Sequence, residues 1–166
     1  MKIRIVSLLM LLFLFTPRGA RGEDTTLYLT IKSESGQGFF KKELRAGIWQ
    51  SGQDGIDPLD LGAMPNGLFD AYFDNDLSPT GSRHLLWWDI RSRNPVQEWK
   101  LQVRSPSKAP IVLEWKVVPF RTVTGPVHFT MTDTDSGKQY DFSSESGTEV
   151  LPTTGLKNLL IDSRPE

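Results

Sequence analysis

The sequence predicts an all-β fold: an antiparallel β-sandwich, immunoglobulin-like in the broad sense, with about eight strands and one long acidic loop. Short runs of alternating apolar and polar residues recur along the chain, separated by turn residues, and no segment has convincing helical periodicity. In the run 98–104, Trp99, Leu101 and Val103 alternate with charged or amide side chains. Because side chains of a strand alternate between its two faces, this pattern indicates a sheet with one buried face.

The centre of the chain predicts three consecutive strands, at 84–91, 98–104 and 110–118. The breaks at Asn94-Pro95 and Ser105-Pro106-Ser107 favour tight connections between antiparallel neighbours. The turn residues 133–137 predict a hairpin, and 143–148 a loop. Further strands are predicted at 25–33, 39–50 (with a short helix over 39–44 as the alternative), 68–73, 127–132, 138–142 and 157–162.

The first 22 residues have the features of a signal peptide. Lys2 and Arg4 precede an apolar run over 5–15, and Ala20 and Gly22 are small residues suited to signal peptidase. The apolar run is shorter than the ~20 residues that span a bilayer, so a retained N-terminal anchor is the less favoured interpretation. We therefore expect residues 23–166 to form one exported domain without a membrane span.

Charge and cysteine content exclude several classes of function. Of the 19 basic residues four lie in the segment 1–22, which has no acid, so the mature domain has 15 basic and 20 acidic residues and a formal charge of −5. This charge argues against nucleic acid or anionic lipid as the main partner. The absence of cysteine excludes disulfides, thiol catalysis and cysteine-ligated metals, and favours a bacterial protein of the periplasm, cell surface or extracellular space.

The segment 51–82 is a long connection rich in glycine, proline and aspartate. Connections of this length are usually functional or mobile. Asp54, Asp57 and Asp60 recur every third residue around Gly55 and Pro58, and such a loop can supply carboxylate and carbonyl oxygens to calcium. The alternative is that these aspartates accept hydrogen bonds from backbone amides of the loop. The sequence leaves both interpretations open.

A second candidate site is the strand over 84–91. If Leu86, Trp88 and Ile90 face the core, Trp87, Asp89 and Arg91 share the other face. An exposed tryptophan beside arginine and aspartate could stack on a sugar ring or anchor a protein partner. The alternative is that Trp87 is covered by apolar residues of the segment 51–82.

The sequence predicts no catalytic site. His84 and His128 are its only histidines and are expected to be solvated, and no nucleophile-elbow motif is present. Paired carboxylates for glycoside hydrolysis occur by chance in any acidic chain. We therefore expect that the protein is not an enzyme, and a small hydrolase is the third interpretation.

Several short motifs between residues 46 and 115 carry a resemblance. They are Ala-Gly-Ile-Trp at 46–49, Asp-Gly-Ile-Asp-Pro-Leu-Asp at 54–60, Ala-Tyr-Phe at 71–73, Trp-Asp-Ile-Arg at 88–91, Glu-Trp-Lys-Leu-Gln-Val at 98–103 and Ile-Val-Leu-Glu-Trp at 111–115. In this order they resemble immunoglobulin-like β-sandwich segments of bacterial secreted and cell-surface proteins. The chain departs from them in lacking a proline run after the acidic loop. The resemblance implies an accessory or adhesive module without assigned catalytic residues.

The sequence thus predicts a non-catalytic exported protein of the bacterial envelope or cell surface that binds a protein partner or associates with itself. The open edges of the sheet are the expected docking sites. The alternative is a carbohydrate-binding module that uses Trp87 and a structural calcium ion.

Overall fold

The computed structural model describes residues 25–35, 38–49, 51–65, 67–76, 83–92, 94, 96–105, 109–119, 127–142, 146–152 and 155–165. These residues form eleven strands and no helix, so none of them belongs to a helix able to cross a membrane. The predicted signal peptide lies outside the described residues. The strands are β1 Thr25–Ser35, β2 Gly38–Ile48, β3 Leu61–Gly62, β4 Asp70–Asn75, β5 His84–Arg91, β6 Gln97–Arg104, β7 Ile111–Pro119, β8 Val127–Asp133, β9 Gln139–Asp141, β10 Ser146–Leu151 and β11 Leu156–Pro165.

All eleven strands belong to one strongly curled sheet. Its order is β10-β7-β1-β2-β5-β4-β6-β11-β8-β9, and β3 pairs with β5 beside this path. The pairing is antiparallel except between β2 and β5, where Arg45–Ile48 runs parallel to Trp88–Arg91. The predicted all-β class is therefore confirmed, while the sheet is mixed rather than purely antiparallel.

The predicted pairing of the three central strands is wrong. β6 lies between β4 and β11, β7 lies between β1 and β10, and β5 pairs with neither β6 nor β7. Alternation of apolar residues determines which side chains face the core, but it carries no information about which strand lies alongside.

The core follows the predicted alternation closely. Trp99, Leu101 and Val103 of β6 are buried, as are Ile111 and the other odd-numbered residues of β7 through Val117. The Trp99 and Phe129 rings pack with their centroids 6.1 Å apart, although their strands are separated by β11. Burying one large apolar side chain contributes about 1.5–3 kcal/mol, so this shared core holds the curled sheet together.

The hairpin predicted at 133–137 joins β8 and β9. Gly137 has φ 70°, a backbone conformation that glycine adopts at little cost, and its amide donates to the Asp133 carbonyl at 2.7 Å. The Asp133 carboxylate accepts from the Asp135 amide and the Ser136 hydroxyl, and forms a 2.6 Å ion pair with Lys157 of β11. Asp133 and Lys157 are both buried, so an ion pair anchors this turn.

The end of the segment predicted as a loop at 143–148 belongs to the edge strand β10, and 143–145 lie outside the described residues. Gly147 of β10 lies opposite Trp115 of β7. A Cβ atom at Gly147 would approach the Trp115 ring to 2.0 Å, so only glycine leaves room for the indole. The Ser-Gly-Thr composition that predicted a loop thus fits an edge strand packed over a tryptophan.

Candidate functional site: a buried polar cluster and an aromatic–arginine stack

A buried ion pair marks the C-terminal end of β5. Asp89 and Arg91 are two residues apart and therefore share a face, with exposed fractions of 0% and 4%. The Arg91 Nε and Nη2 atoms donate to the two Asp89 carboxylate oxygens at 3.0 and 2.9 Å. This fork of two parallel hydrogen bonds is the strongest common geometry for an arginine–carboxylate pair.

Neighbouring groups satisfy most of the remaining hydrogen-bonding capacity of the Asp89–Arg91 pair. Asn75 Nδ2 lies 3.3 Å from Asp89 Oδ2, and Arg91 Nη1 donates to the Glu98 carbonyl. The Arg91 guanidinium also lies over the Trp99 ring, 5.1 Å from its centroid. Burial raises the pKa of Asp89, and hydrogen bonds from Arg91 and Asn75 oppose that rise. The pair therefore links β5 to β4 and β6 inside the protein.

Two aspartates of the acidic loop attach it to the end of β5. Asp54 Oδ1 accepts from the Ser92 amide at 3.1 Å and from Gln97 Nε2 at 3.0 Å. Asp60 Oδ1 accepts from the Ile90 amide at 2.8 Å. These bonds satisfy the backbone amides of Ile90 and Ser92 and the side-chain amide of Gln97, and they attach the loop to the end of β5 and the start of β6.

The third aspartate, Asp57, holds the loop to itself. Its carboxylate accepts from the amides of Gln53 at 2.9 Å and Leu59 at 2.6 Å, and its own amide donates to Asp60 Oδ2 at 3.0 Å. Each of the three aspartates thus accepts backbone hydrogen bonds, the pattern typical of aspartate in turns.

No group of three or more His, Cys, Asp or Glu side chains among the described residues is placed to hold a metal ion. Three other acids that could complete a site have separate cationic partners: Asp70 pairs with Lys42, Asp74 with Arg83 and Asp76 with Lys100. Calcium binding by Asp54, Asp57 and Asp60 stays a prediction of the sequence.

Asp60 makes the stability of this loop depend on pH. Burial raises its pKa to about 6 despite the two backbone amides that favour its ionised form. Between the unfolded pKa of about 4 and pH 6 the native state therefore holds a proton that the unfolded state has lost. The contribution of Asp60 to stability is full below the unfolded pKa and is lost as pH rises through about 6.

We expect the free energy of unfolding of the unmodified chain to fall by about 1 kcal/mol from this group between pH 5 and pH 7. Asp60→Asn, which keeps an acceptor for the Ile90 amide, should remove that part of the slope in urea titrations at the two pH values. In the control Asp76→Asn the slope should persist, because the hydrogen bond from Lys100 lowers the pKa of Asp76. An unchanged slope in Asp60→Asn would contradict the prediction.

The predicted binding surface of Trp87, Asp89 and Arg91 does not form an exposed face. Asp89 and Arg91 are buried because they pair with each other beneath the acidic loop. Trp87 is half-buried, with the Lys42 ammonium 5.2 Å from its ring centroid, and Lys42 also pairs with the buried Asp70 at 3.3 Å. The structure thus buries Asp89 and Arg91 and leaves Trp87 half-buried beside Lys42.

The apolar residues of the segment 51–82 that were expected to cover Trp87 lie in different environments. Phe69 is buried and stacks on Phe40, and Leu59 is half-buried. Four others are exposed: Ile56, Leu61, Met64 and Leu68.

A cleft of about 380 Å³ opens beside the buried pair. It is lined by Arg91 and Lys100 and by four acids, Asp54, Asp74, Asp76 and Glu98, together with Val96 and Gln97. Asp76 pairs with Lys100 at 2.6 Å and Asp74 with Arg83, so two of the four carboxylates already have cationic partners. The cleft is therefore a polar surface beside the buried Asp89–Arg91 pair.

An aromatic–arginine stack lies across three neighbouring strands on the opposite side of β2 from its buried residues. Tyr28 of β1 pairs with Arg45 of β2, which pairs with Trp88 of β5. The Arg45 guanidinium carbon lies 5.1 Å from the Tyr28 ring centroid and 4.1 Å from that of Trp88. Both distances are within the range of cation–π attraction, so the two rings hold the guanidinium between them.

The same cross-strand row continues to Lys116 of β7, which pairs with Tyr28 and is exposed. The neighbouring row carries the carboxylates of Glu43 and Glu114. Each lies 2.5 Å from a lysine, Lys41 and Lys32 respectively. Within the described residues, neither Arg45 nor Lys116 has a hydrogen bond or ion pair with another side chain.

Sequence reasoning missed this stack because it assigned Trp88 to the core. Trp88 is half-buried, whereas Leu86 and Ile90 on the same parity are 2% exposed. The stack also depends on the parallel pairing of β2 and β5, and the sequence pattern does not predict this pairing. The only available signal was that Tyr28 and Arg45 occupy polar positions of their alternating strands.

Comparisons with family models, with curated proteins and with solved structures find no match to this chain.

Proposed function

We propose that the chain is a non-catalytic, exported binding protein of the bacterial envelope or cell surface that engages a protein partner. The observation that carries the proposal is the stack of Tyr28, Arg45 and Trp88 on the outer side of β1, β2 and β5. We call this surface, with Lys116 beside it, the binding face. The curled sheet of the chain would then be an immunoglobulin-like sandwich. It would act as a rigid scaffold that displays the binding face.

The composition of the binding face favours a protein partner. Tryptophan, tyrosine and arginine dominate the residues that contribute most to protein–protein affinity, and here all three are adjacent. The ring faces that a sugar would stack on instead contact the Arg45 guanidinium, so this occupancy favours a protein over the alternative glycan ligand.

The experiment is affinity capture from envelope extracts of the producing bacterium, with the unmodified chain and Arg45→Ala as baits and quantitative mass spectrometry as the readout. The matched control is Arg104→Ala, which removes an exposed arginine from β6. Loss of a hot-spot arginine should reduce capture of the partner by about tenfold or more. Arg104→Ala should capture it like the unmodified chain.

Sedimentation velocity on the same three purified chains tests the remaining form of the proposal, association between copies. A dimer of the unmodified chain that Arg45→Ala abolishes would make the partner a second copy. Equal capture by all three chains, or neither capture nor self-association, would contradict the proposed function.

A further inference from the structure

We infer that Arg45 is a carboxylate-binding residue, and that the partner docks an acidic peptide segment onto it. The inference rests on the proposed function and adds the chemistry of the partner. It follows from the state of the Arg45 guanidinium, the charges around it and the spacing of those charges.

The guanidinium of Arg45 retains its hydrogen-bonding capacity. Its carbon lies within cation–π range of both the Tyr28 and the Trp88 ring, and its donors bond to none of the described residues. An arginine side chain has five N–H donors in the plane of the fork, and a cation–π contact uses none of them as a hydrogen bond. A carboxylate accepts two parallel hydrogen bonds from such a fork.

The stack also reduces the entropic cost of binding. A free arginine side chain loses rotamer entropy when a ligand fixes it in one geometry. The register of β1, β2 and β5 places a ring on each side of Arg45 before any ligand arrives. A ligand carboxylate therefore meets a donor already held in place.

The charges around the stack favour an anion although the mature chain is acidic. Lys116, one strand beyond Tyr28, adds a second cation about 10 Å from Arg45 along the row. The nearest acids, Glu43 and Glu114, are paired with Lys41 and Lys32. Two cations on the same row favour a peptide that carries more than one carboxylate.

A carboxylate suits this position better than a phosphate. Glu43 precedes Arg45 by two residues on the same side of β2, about 6–7 Å away. One carboxylate matches the single charge of Arg45, whereas a dianionic phosphate bound there would leave an uncompensated negative charge beside Glu43, whose field Lys41 offsets in part.

The experiment titrates the ¹⁵N-labelled chain with an acetylated hexaglutamate peptide and follows the arginine Nε–Hε signals by NMR. We expect a saturable shift of the Arg45 signal, assigned by its loss in Arg45→Lys. Fluorescence anisotropy of the labelled peptide should show an affinity at least about tenfold weaker for Arg45→Lys, since lysine keeps the charge but loses the fork. Arg104→Lys should bind like the unmodified chain, and hexaglutamine should not bind.

Three outcomes would overturn the inference: no peptide binding, equal binding by Arg45→Lys, or inorganic phosphate competing at the Arg45 signal more strongly than acetate. If any of these occurs while capture of a partner still depends on Arg45, the carboxylate chemistry fails and the binding function stands. If capture is also independent of Arg45, both fail.

Discussion

Asp89→Ala is expected to lower the free energy of unfolding by about 3–5 kcal/mol, the cost of leaving a buried charge without its partner. Arg91 is 4% exposed, so its guanidinium would stay buried without a counter-ion. Its remaining bond to the Glu98 carbonyl and its contact with Trp99 do not neutralise its charge. Urea unfolding followed by tryptophan fluorescence measures the loss.

Two comparisons separate the lost charge partner from other effects of the substitution. Asp76→Ala breaks an exposed pair with Lys100, and its cost should stay within about 1 kcal/mol. The double variant Asp89→Leu with Arg91→Met should lose less stability than Asp89→Ala alone, because it leaves no buried ion. A loss below about 1 kcal/mol for Asp89→Ala would show that the pair does not hold β5 in place.

The burial of the Asp89–Arg91 pair explains why the sequence pattern did not predict the position of these two residues. In β6 and β7 the apolar and charged residues fall on opposite faces, so the pattern predicts the core correctly. In β5, Asp89 and Arg91 satisfy each other inside the protein, and their alternation with Trp88 and Ile90 looks identical to that of solvent-exposed charges. Alternation alone does not distinguish a buried ion pair from a hydrated face.

The sequence pattern also did not predict which strands pair with each other. β1 and β2 are adjacent in the chain, and they pair as antiparallel neighbours. The parallel pairing of β2 with β5 joins segments separated by the acidic loop, and it depends on the packing of the whole core. Because the stack at Arg45 requires both pairings, the alternation of residues in the sequence did not predict it.

At the far end of the sheet, Lys157→Met is expected to cost about 2–4 kcal/mol, because it leaves the Asp133 carboxylate buried without a counter-ion. The loss is smaller than for Asp89→Ala since the Asp135 amide and the Ser136 hydroxyl still donate to Asp133. Met fills most of the volume of the lysine stem, so a cavity contributes little. The control is Lys100→Met, which removes the lysine of an exposed aspartate pair and should cost within about 1 kcal/mol.

The pH dependence identifies the ion pair as the cause. Burial alone would raise the pKa of Asp133, but Lys157, Ser136 and the Asp135 amide together bring it below 3.8. A carboxyl group with a lowered native pKa stabilises the fold above its unfolded pKa, and that contribution is lost as pH falls through the native value. The difference in the free energy of unfolding between the unmodified chain and Lys157→Met should therefore have its full value at pH 7 and become smaller below pH ~4. A difference that stays constant down to pH ~2.5 would assign the loss to packing of the lysine stem instead.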